Sequence, residues 1–243
     1  MRERETQEDL RTELLEVVGS VKGYLLEAVD TGGKVRMFST ARMTKADAPG
    51  EVESSGEVKS RVEQLAALEE ELRSCRRCPL WTTRRTVVFG EGNPDARLMF
   101  VGEGPGEEED RQGRPFVGRA GQLLTRIINA MGLSRDDVYI ANIVKCRPPG
   151  NRVPDQEEKD ACTPYLCRQV EIIKPRVICA LGSVAARFFL KTEAAVSVLR
   201  GRFHSLGSID LMATYHPAYL LRNPNAKKQV WEDVQEIMKR LKQ

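Results

Sequence analysis

Residues 98–106 read LMFVGEGPG, an apolar run that stops at a turn built from three glycines and a proline around Glu103. A short apolar run closed by turn residues marks a strand buried on both faces. Three more such runs follow, at residues 138–144, 177–181 and 211–214. Apolar residues at helical spacing fill the intervals, over residues 120–131, 156–173 and 183–190, with further helices expected at 62–73 and 226–241. This alternation predicts an α/β protein with a parallel sheet of about four strands, helices on both faces and right-handed crossovers.

In an open parallel sheet, ligands sit outside the carboxyl ends of the strands, so the residues after each run carry the functional reading. After the first run comes the glycine turn with Gly102, Glu103 and Gly104. Asn142 ends the second run, Gly182 and Ser183 follow the third, and Tyr215, His216 and Pro217 follow the fourth. One edge of the sheet therefore collects Glu103, Asn142 and His216. The chain has only two histidines, and His204 lacks the strand-end position that singles out His216.

The glycine turn is a poor phosphate loop. It lacks the Lys-Ser/Thr ending of a P-loop and the spacing of a dinucleotide turn, and residues 107–110 (EEED) repel phosphate. Its glycines instead suit close approach of a flat, neutral ligand to the backbone. Phe116, in the loop GRPFVG, is placed either to stack on such a ligand or to plug the core.

Four of the six cysteines form a bracketed set: Cys75-x-x-Cys78, then Cys146 and Cys162 with fifteen residues between them. One tight pair plus two dispersed cysteines leans toward an iron–sulfur cluster, with structural zinc as the alternative, because zinc ribbons usually repeat the tight knuckle. A disulfide framework is the weaker reading. The chain opens MRERETQEDL with no apolar signal segment, so a cytoplasmic location with reduced thiols is expected. Cys167 and Cys179 read as packing residues.

The 243 residues, 41% hydrophobic and 30% charged, suffice for one well-packed domain and an appendage. No run approaches the roughly 18–20 apolar residues of a membrane span. The net charge of +3 is uneven: residues 1–60 hold 9 Lys+Arg against 12 Asp+Glu, leaving 29 against 23 for the remainder. Apolar residues at helical spacing over 8–28, then a polar stretch rich in Gly, Ser, Thr and Ala, divide the chain into a helix with a flexible linker, 1–60, and a core domain, 61–243.

Together, the stretch GEGPGEEEDRQGRPFVGRAGQLL, the strand end YIANIVKCRPPGNR, the segment HPAYLL and the cysteine quartet resemble the family 4, iron–sulfur uracil-DNA glycosylases of bacteria and archaea. The resemblance covers residues 68–241. It implies a three-layer α/β/α sandwich with a central four-stranded parallel sheet and a [4Fe–4S] cluster on Cys75, Cys78, Cys146 and Cys162. It also implies a nucleoid-associated enzyme that flips uracil from single- or double-stranded DNA and leaves an abasic site in base excision repair.

By the same resemblance, Phe116 stacks on the flipped base, Asn142 reads the pyrimidine edge against cytosine, and the backbone of residues 102–104 completes a pocket that excludes thymine by bulk. His216 stabilises charge on the departing uracil, and Glu103 positions or activates water. Leu220 or Leu221 is placed either to fill the gap in the base stack or to pack at a helix start. Arg222 is placed to meet a phosphate, and Arg147, Arg152, Arg200 and Arg202, from their positions in predicted loops, are either backbone contacts or solvated surface charge. Glu103 stands where another iron–sulfur branch has an apolar residue, and the loop PPGNRVP lacks the basic insertion with a histidine that lets a covalent-trapping branch bond to DNA. Reversible turnover by a monofunctional monomer is therefore expected. No residue here supports a sliding-clamp partner. The competing classes are a cluster-bearing module without catalysis and a zinc-dependent nucleotide hydrolase.

Overall fold

The computed structural model describes residues 59–243, within a compact unit that runs Gly56–Gln243. The helix expected over residues 8–28 and the linker as far as residue 58 lie outside the described residues.

Helix α1, Arg61–Arg73, begins where the polar composition ends. Ser60 caps it: its hydroxyl accepts the Glu63 N–H at 3.2 Å, and the Glu63 carboxylate accepts the Ser60 N–H at 2.7 Å. This reciprocal pair satisfies two backbone donors that the first turn would otherwise leave open. The helix buries Leu65, Leu68 and Leu72, each fully buried leucine contributing about 1.5–3 kcal/mol.

Six strands form one sheet: β1 (Glu91–Gly92), β2 (Leu98–Gly102), β3 (Tyr139–Asn142), β4 (Val177–Leu181), β5 (Phe203–Leu206) and β6 (Ile209–Thr214), in the order β1-β3-β2-β4-β6-β5. The inner four are parallel and correspond to the four apolar runs. The four-stranded expectation is extended by an antiparallel strand at each edge. Neither edge strand gives an apolar signal, because β1 has two residues and β5 is only half-buried.

Seven further helices follow: α2 (Glu107–Gln112), α3 (Arg119–Ala130), α4 (Gln156–Ile173), α5 (Ser183–Leu190), α6 (Val196–Leu199), α7 (Pro217–Arg222) and α8 (Lys227–Lys242). Alternate residues of the strands feed two cores. Leu98 and Phe100 of β2 pack with Leu124 and Ile128 of α3 and Val234 and Ile237 of α8. Met99 and Val101 pack with Leu68 of α1, Leu166 of α4 and Ala185 of α5. The period-two alternation of a strand thus produces the two outer layers of the sandwich. Cys179 lies wholly inside the first of these cores, whereas Cys167 is exposed on α4.

The chain runs from β2 outward to β3, then returns to the other side of β2 for β4. That reversal opens a crevice at the carboxyl ends of β2 and β4, where ligands of doubly wound sheets bind. Among the described residues no helix is long and apolar enough to cross a membrane.

Candidate active site

Gly102 closes β2 at this crevice. A Cβ there would come within 2.4 Å of Phe116 Cζ and 2.5 Å of Asn142 Oδ1, so only glycine lets those two side chains meet. Asn142 ends β3 and is 2% exposed. Its Oδ1 is, among the described residues, the one buried side-chain N or O atom without a hydrogen-bond partner. An unpaired buried acceptor costs roughly 1–3 kcal/mol, which a folded chain retains where a ligand supplies the partner.

Phe116 is buried with φ at +52°, in the left-handed region. Its loop is pinned from three sides. Arg135 donates to the Phe116 carbonyl at 3.0 Å and the Pro115 carbonyl at 2.7 Å. Glu109 accepts the N–H groups of Val117 at 2.9 Å and Gly118 at 2.8 Å, and its second oxygen accepts Gly106 N–H at 3.2 Å. Gly121 provides the third contact, since a Cβ there would stand 1.9 Å from the Phe116 carbonyl carbon. The Phe116 ring lies 5.6 Å from that of His216 at 34°.

His216 is the N-cap of α7, and its Nδ1 accepts the Ala218 N–H at 3.1 Å. That bond places the ring proton on Nε2. Gly182, with φ +90°, ends β4 against it, where a Cβ would come 3.0 Å from His216 Cβ. The residue is half-buried, and the surrounding protein is dense. Burial, opposed by Glu109 and assisted by Arg222, pushes its pKa down to about 4. The imidazole is therefore neutral at ordinary pH, a donor through Nε2.

Glu103 sits in the turn after β2, with its carbonyl accepting Val144 N–H at 3.1 Å. Burial raises its carboxyl above the ordinary range, against the opposing charge of Lys159. Gly104 follows, where a Cβ would come 2.8 Å from Val144 Cγ2. Glu103, Asn142, His216, Phe116, Gly102 and Gly104 thus gather at one strand-end crevice. An open cleft of about 670 Å³, by contrast, lies at the opposite ends of the strands against Arg61, Arg97 and Lys174.

The DNA-facing candidates divide. Leu221 is 38% exposed on α7, with Tyr219 and Arg222 also exposed beside it. Leu220 is 1% exposed and packs into the α3/α8 core, turned inward by the helical phase of α7. Arg200 is likewise turned inward. Its guanidinium bonds both oxygens of buried Asp233 at 3.0 and 2.8 Å, and Asp233 also accepts from Thr214 at 2.5 Å. Arg152 is paired with Glu158 at 2.8 and 2.6 Å. Arg147 bonds Asn151 at 2.8 Å and remains partly exposed, and Arg202 is exposed. His204 bonds the Leu199 carbonyl at 2.8 Å, a packing role.

The cysteine quartet lies on the α1/α4 face. Cys146 and Cys162 are buried in that core, with Cys75 and Cys78 packed against it. They come from three places: the turn after α1, the loop after β3, and α4. The thiols act on one another electrostatically, Cys78 and Cys75 on Cys146, and Cys146 and Cys78 on Cys162. Two sulfurs already accept N–H bonds, Cys146 from Arg84 at 3.3 Å and Cys162 from the Lys145 backbone at 3.2 Å. Such bonds accompany thiolate ligation of iron–sulfur clusters. Among the described residues no three His, Cys, Asp or Glu side chains converge on a single ion. A four-iron cluster makes a different demand, since each thiolate takes its own iron around an extended body. The donor set and its N–H bonds fit that group.

Comparison with known proteins decides the family. The model of the Uracil DNA glycosylase superfamily matches residues 89–235, which contain all of the strand-end residues above. The chain belongs to this superfamily. Within it, the chain is 49% identical over 181 residues to the type-4 uracil-DNA glycosylase of Thermotoga maritima, covering 73% of this chain and 94% of that protein. It is 44% identical over 189 residues to the type-4 enzyme of Saccharolobus solfataricus, covering 74% and 88%. A type-5 uracil-DNA glycosylase of Pyrobaculum aerophilum is 32% identical over 198 residues, covering 74% and 86%. The chain therefore falls in the type-4 branch of the superfamily.

The sequence reading missed Glu109, Arg135 and Lys145. Glu109 lay in the acidic run read only as repelling phosphate; acids just after a glycine turn also suit the start of a helix, where they cap open N–H groups.

Proposed function

We propose that the chain is a monofunctional uracil-DNA glycosylase that acts in base excision repair, and that Glu103, Asn142, Phe116 and His216 carry the reaction. The observation that carries this reading is the unpaired Asn142 Oδ1 at the strand-end crevice. Uracil offers that atom its ring N–H, while its 4-keto oxygen accepts from the amide N–H. Cytosine presents an unprotonated ring nitrogen and an amino donor at those atoms, so both bonds invert and the buried amide is left unpaired. Phe116 stacks on the flipped base, its loop held by Arg135 and Glu109.

Excision breaks the bond between C1′ and N1, and the electron pair leaves with uracil. The neutral His216 donates from Nε2 to the 2-oxygen as charge builds there, a hydrogen bond that strengthens toward the transition state. Glu103 accepts a proton from water as the water oxygen bonds to C1′, and its negative charge favours the oxocarbenium character of the sugar. A raised carboxyl pKa makes it a better base than an exposed glutamate. The uracil anion takes up a proton at N1 and Glu103 returns its own to solvent, so the products are free uracil and an abasic site. No lysine stands among these strand-end residues to form a Schiff base, so the strand stays intact.

Leu221 fills the gap left by the flipped base, and Arg222 and Arg147 meet the phosphates. Cys75, Cys78, Cys146 and Cys162 hold a [4Fe–4S] cluster, which ties the turn after α1, the loop after β3 and helix α4 together and takes no part in the chemistry. The chain works as a monomer in the cytoplasm of a bacterium or archaeon, on uracil-containing DNA.

Oligonucleotides carrying one uracil, single- or double-stranded, test the reading. Incubation followed by alkali should break the strand at uracil and leave cytosine and thymine controls whole, with no break before alkali. No alkali-labile site at uracil contradicts the activity, and breaks before alkali contradict the monofunctional mechanism.

A further inference from the structure

Lys145 is one of the largest wholly buried side chains, 0% exposed. Among the described residues its ammonium has a single hydrogen-bond acceptor, the neutral Gln169 Oε1 at 2.6 Å. Gln169 is itself held, its Nε2 donating to the Phe89 carbonyl at 3.0 Å and to the Tyr139 hydroxyl at 3.3 Å.

Two of the other buried charges are ion-paired, Asp233 with Arg200 and Glu158 with Arg152. Asp110 instead accepts backbone N–H groups, that of Arg85 at 2.9 Å. An ion sealed in protein without an opposite partner is among the costliest groups to bury, and lysine is almost never fully buried unless paired. Lys145 breaks that rule beside two of the four cysteines. Its own N–H bonds Cys162 Sγ at 3.2 Å, and its neighbour in the chain is Cys146.

We propose that Lys145 is the buried counter-charge of the cluster, a positioning residue that retains the cluster and raises its reduction potential. The inference rests on the reading that the four cysteines hold an iron–sulfur cluster. Four thiolates around such a cluster leave it net anionic, and the partner missing from Lys145 is then the cluster itself. Reduction adds a further negative charge, which a fixed cation stabilises, so the potential rises. Gln169 orients the ammonium without neutralising it, as a carboxylate would.

The test compares the wild-type holoprotein with Lys145→Met, which deletes the charge, and Gln169→Glu, a near-isosteric change that gives the ammonium a rival anion. Iron per chain, the rate of iron release to a chelator and the midpoint potential are measured for each. Lys145→Met should release iron about 10–100-fold faster, the range for loss of a group that supports metal ligands, and titrate at lower potential. Gln169→Glu should also lower the potential. Should Lys145→Met fail to accumulate folded, Gln169→Glu decides. Wild-type potential and iron retention in the folded variants overturn the counter-charge. Wild-type protein without iron and sulfide overturns the cluster reading, and this inference with it.

Discussion

Asn142 ends β3 and Lys145 follows three residues later in the loop, one beside the crevice and the other beside the cysteines, and both are sealed from solvent. Asn142 keeps a buried acceptor unpaired against Phe116 and Gly102. Lys145 is engaged on the opposite face through Gln169, Phe89 and Tyr139. The difference teaches where function and stability reside. On the crevice face polar capacity is held open for a ligand, so its loss should cost activity before stability. On the cysteine face the hydrogen-bonding groups answer one another and the Lys145 charge alone stays open, so loss there should cost stability first.

The largest expected effect is at Glu103. Glu103→Gln should reduce single-turnover excision by about 10²–10⁴-fold, the usual contribution of a general base, with the melting temperature unchanged. The pH profile carries the same information. Because the base form is the active one, excision should rise with pH as Glu103 deprotonates, at a pH above the ordinary carboxylate range, and Glu103→Gln should flatten that limb. His216 titrates at about 4, so no limb should appear near 6.5. A limb at 6.5 that disappears in His216→Asn contradicts the neutral donor.

Next comes the inward-turned Arg200. Arg200→Ala leaves Asp233 buried without its cation and should cost about 3–5 kcal/mol of stability, read by denaturant unfolding, with DNA affinity little changed. A large loss of affinity with unchanged stability would restore Arg200 to the DNA surface. Smaller again is Gln169→Leu, which removes the one acceptor of the Lys145 ammonium. It should cost about 1–3 kcal/mol in unfolding while excision well below the melting temperature persists.

A last pair of variants separates the two leucines of α7. Leu221→Ala should slow excision from duplex DNA more than from single strands, where there is no stack to fill, and leave stability alone. Leu220→Ala should do the reverse, lowering stability by about 2–5 kcal/mol through the cavity it leaves in the α3/α8 core.

Much of this was legible in the sequence, for reasons that differ by residue. The four parallel strands are buried on both faces and read as apolar runs, and the strand-end rule then led to Glu103, Asn142 and His216. β5 is half-buried at an edge and carries no such pattern. The adjacent leucines of HPAYLL differ only in helical phase, which the packing of α7 sets. Arg200 looked free because its partner Asp233 stands 33 residues away. Lys145 follows the apolar residues Ile143 and Val144, where a lysine ordinarily marks the return to solvent. Its burial depends on Gln169, which α4 supplies from beyond the next loop.

Asn142→Ala, assayed for uracil excision and thermal unfolding on one preparation, tests the central claim most directly. Excision should fall by about 10²–10³-fold, as for loss of one oriented hydrogen-bonding group, while the melting temperature holds or rises slightly because an unpaired acceptor has gone. Retained excision, or a loss of stability in step with the loss of activity, would contradict the account.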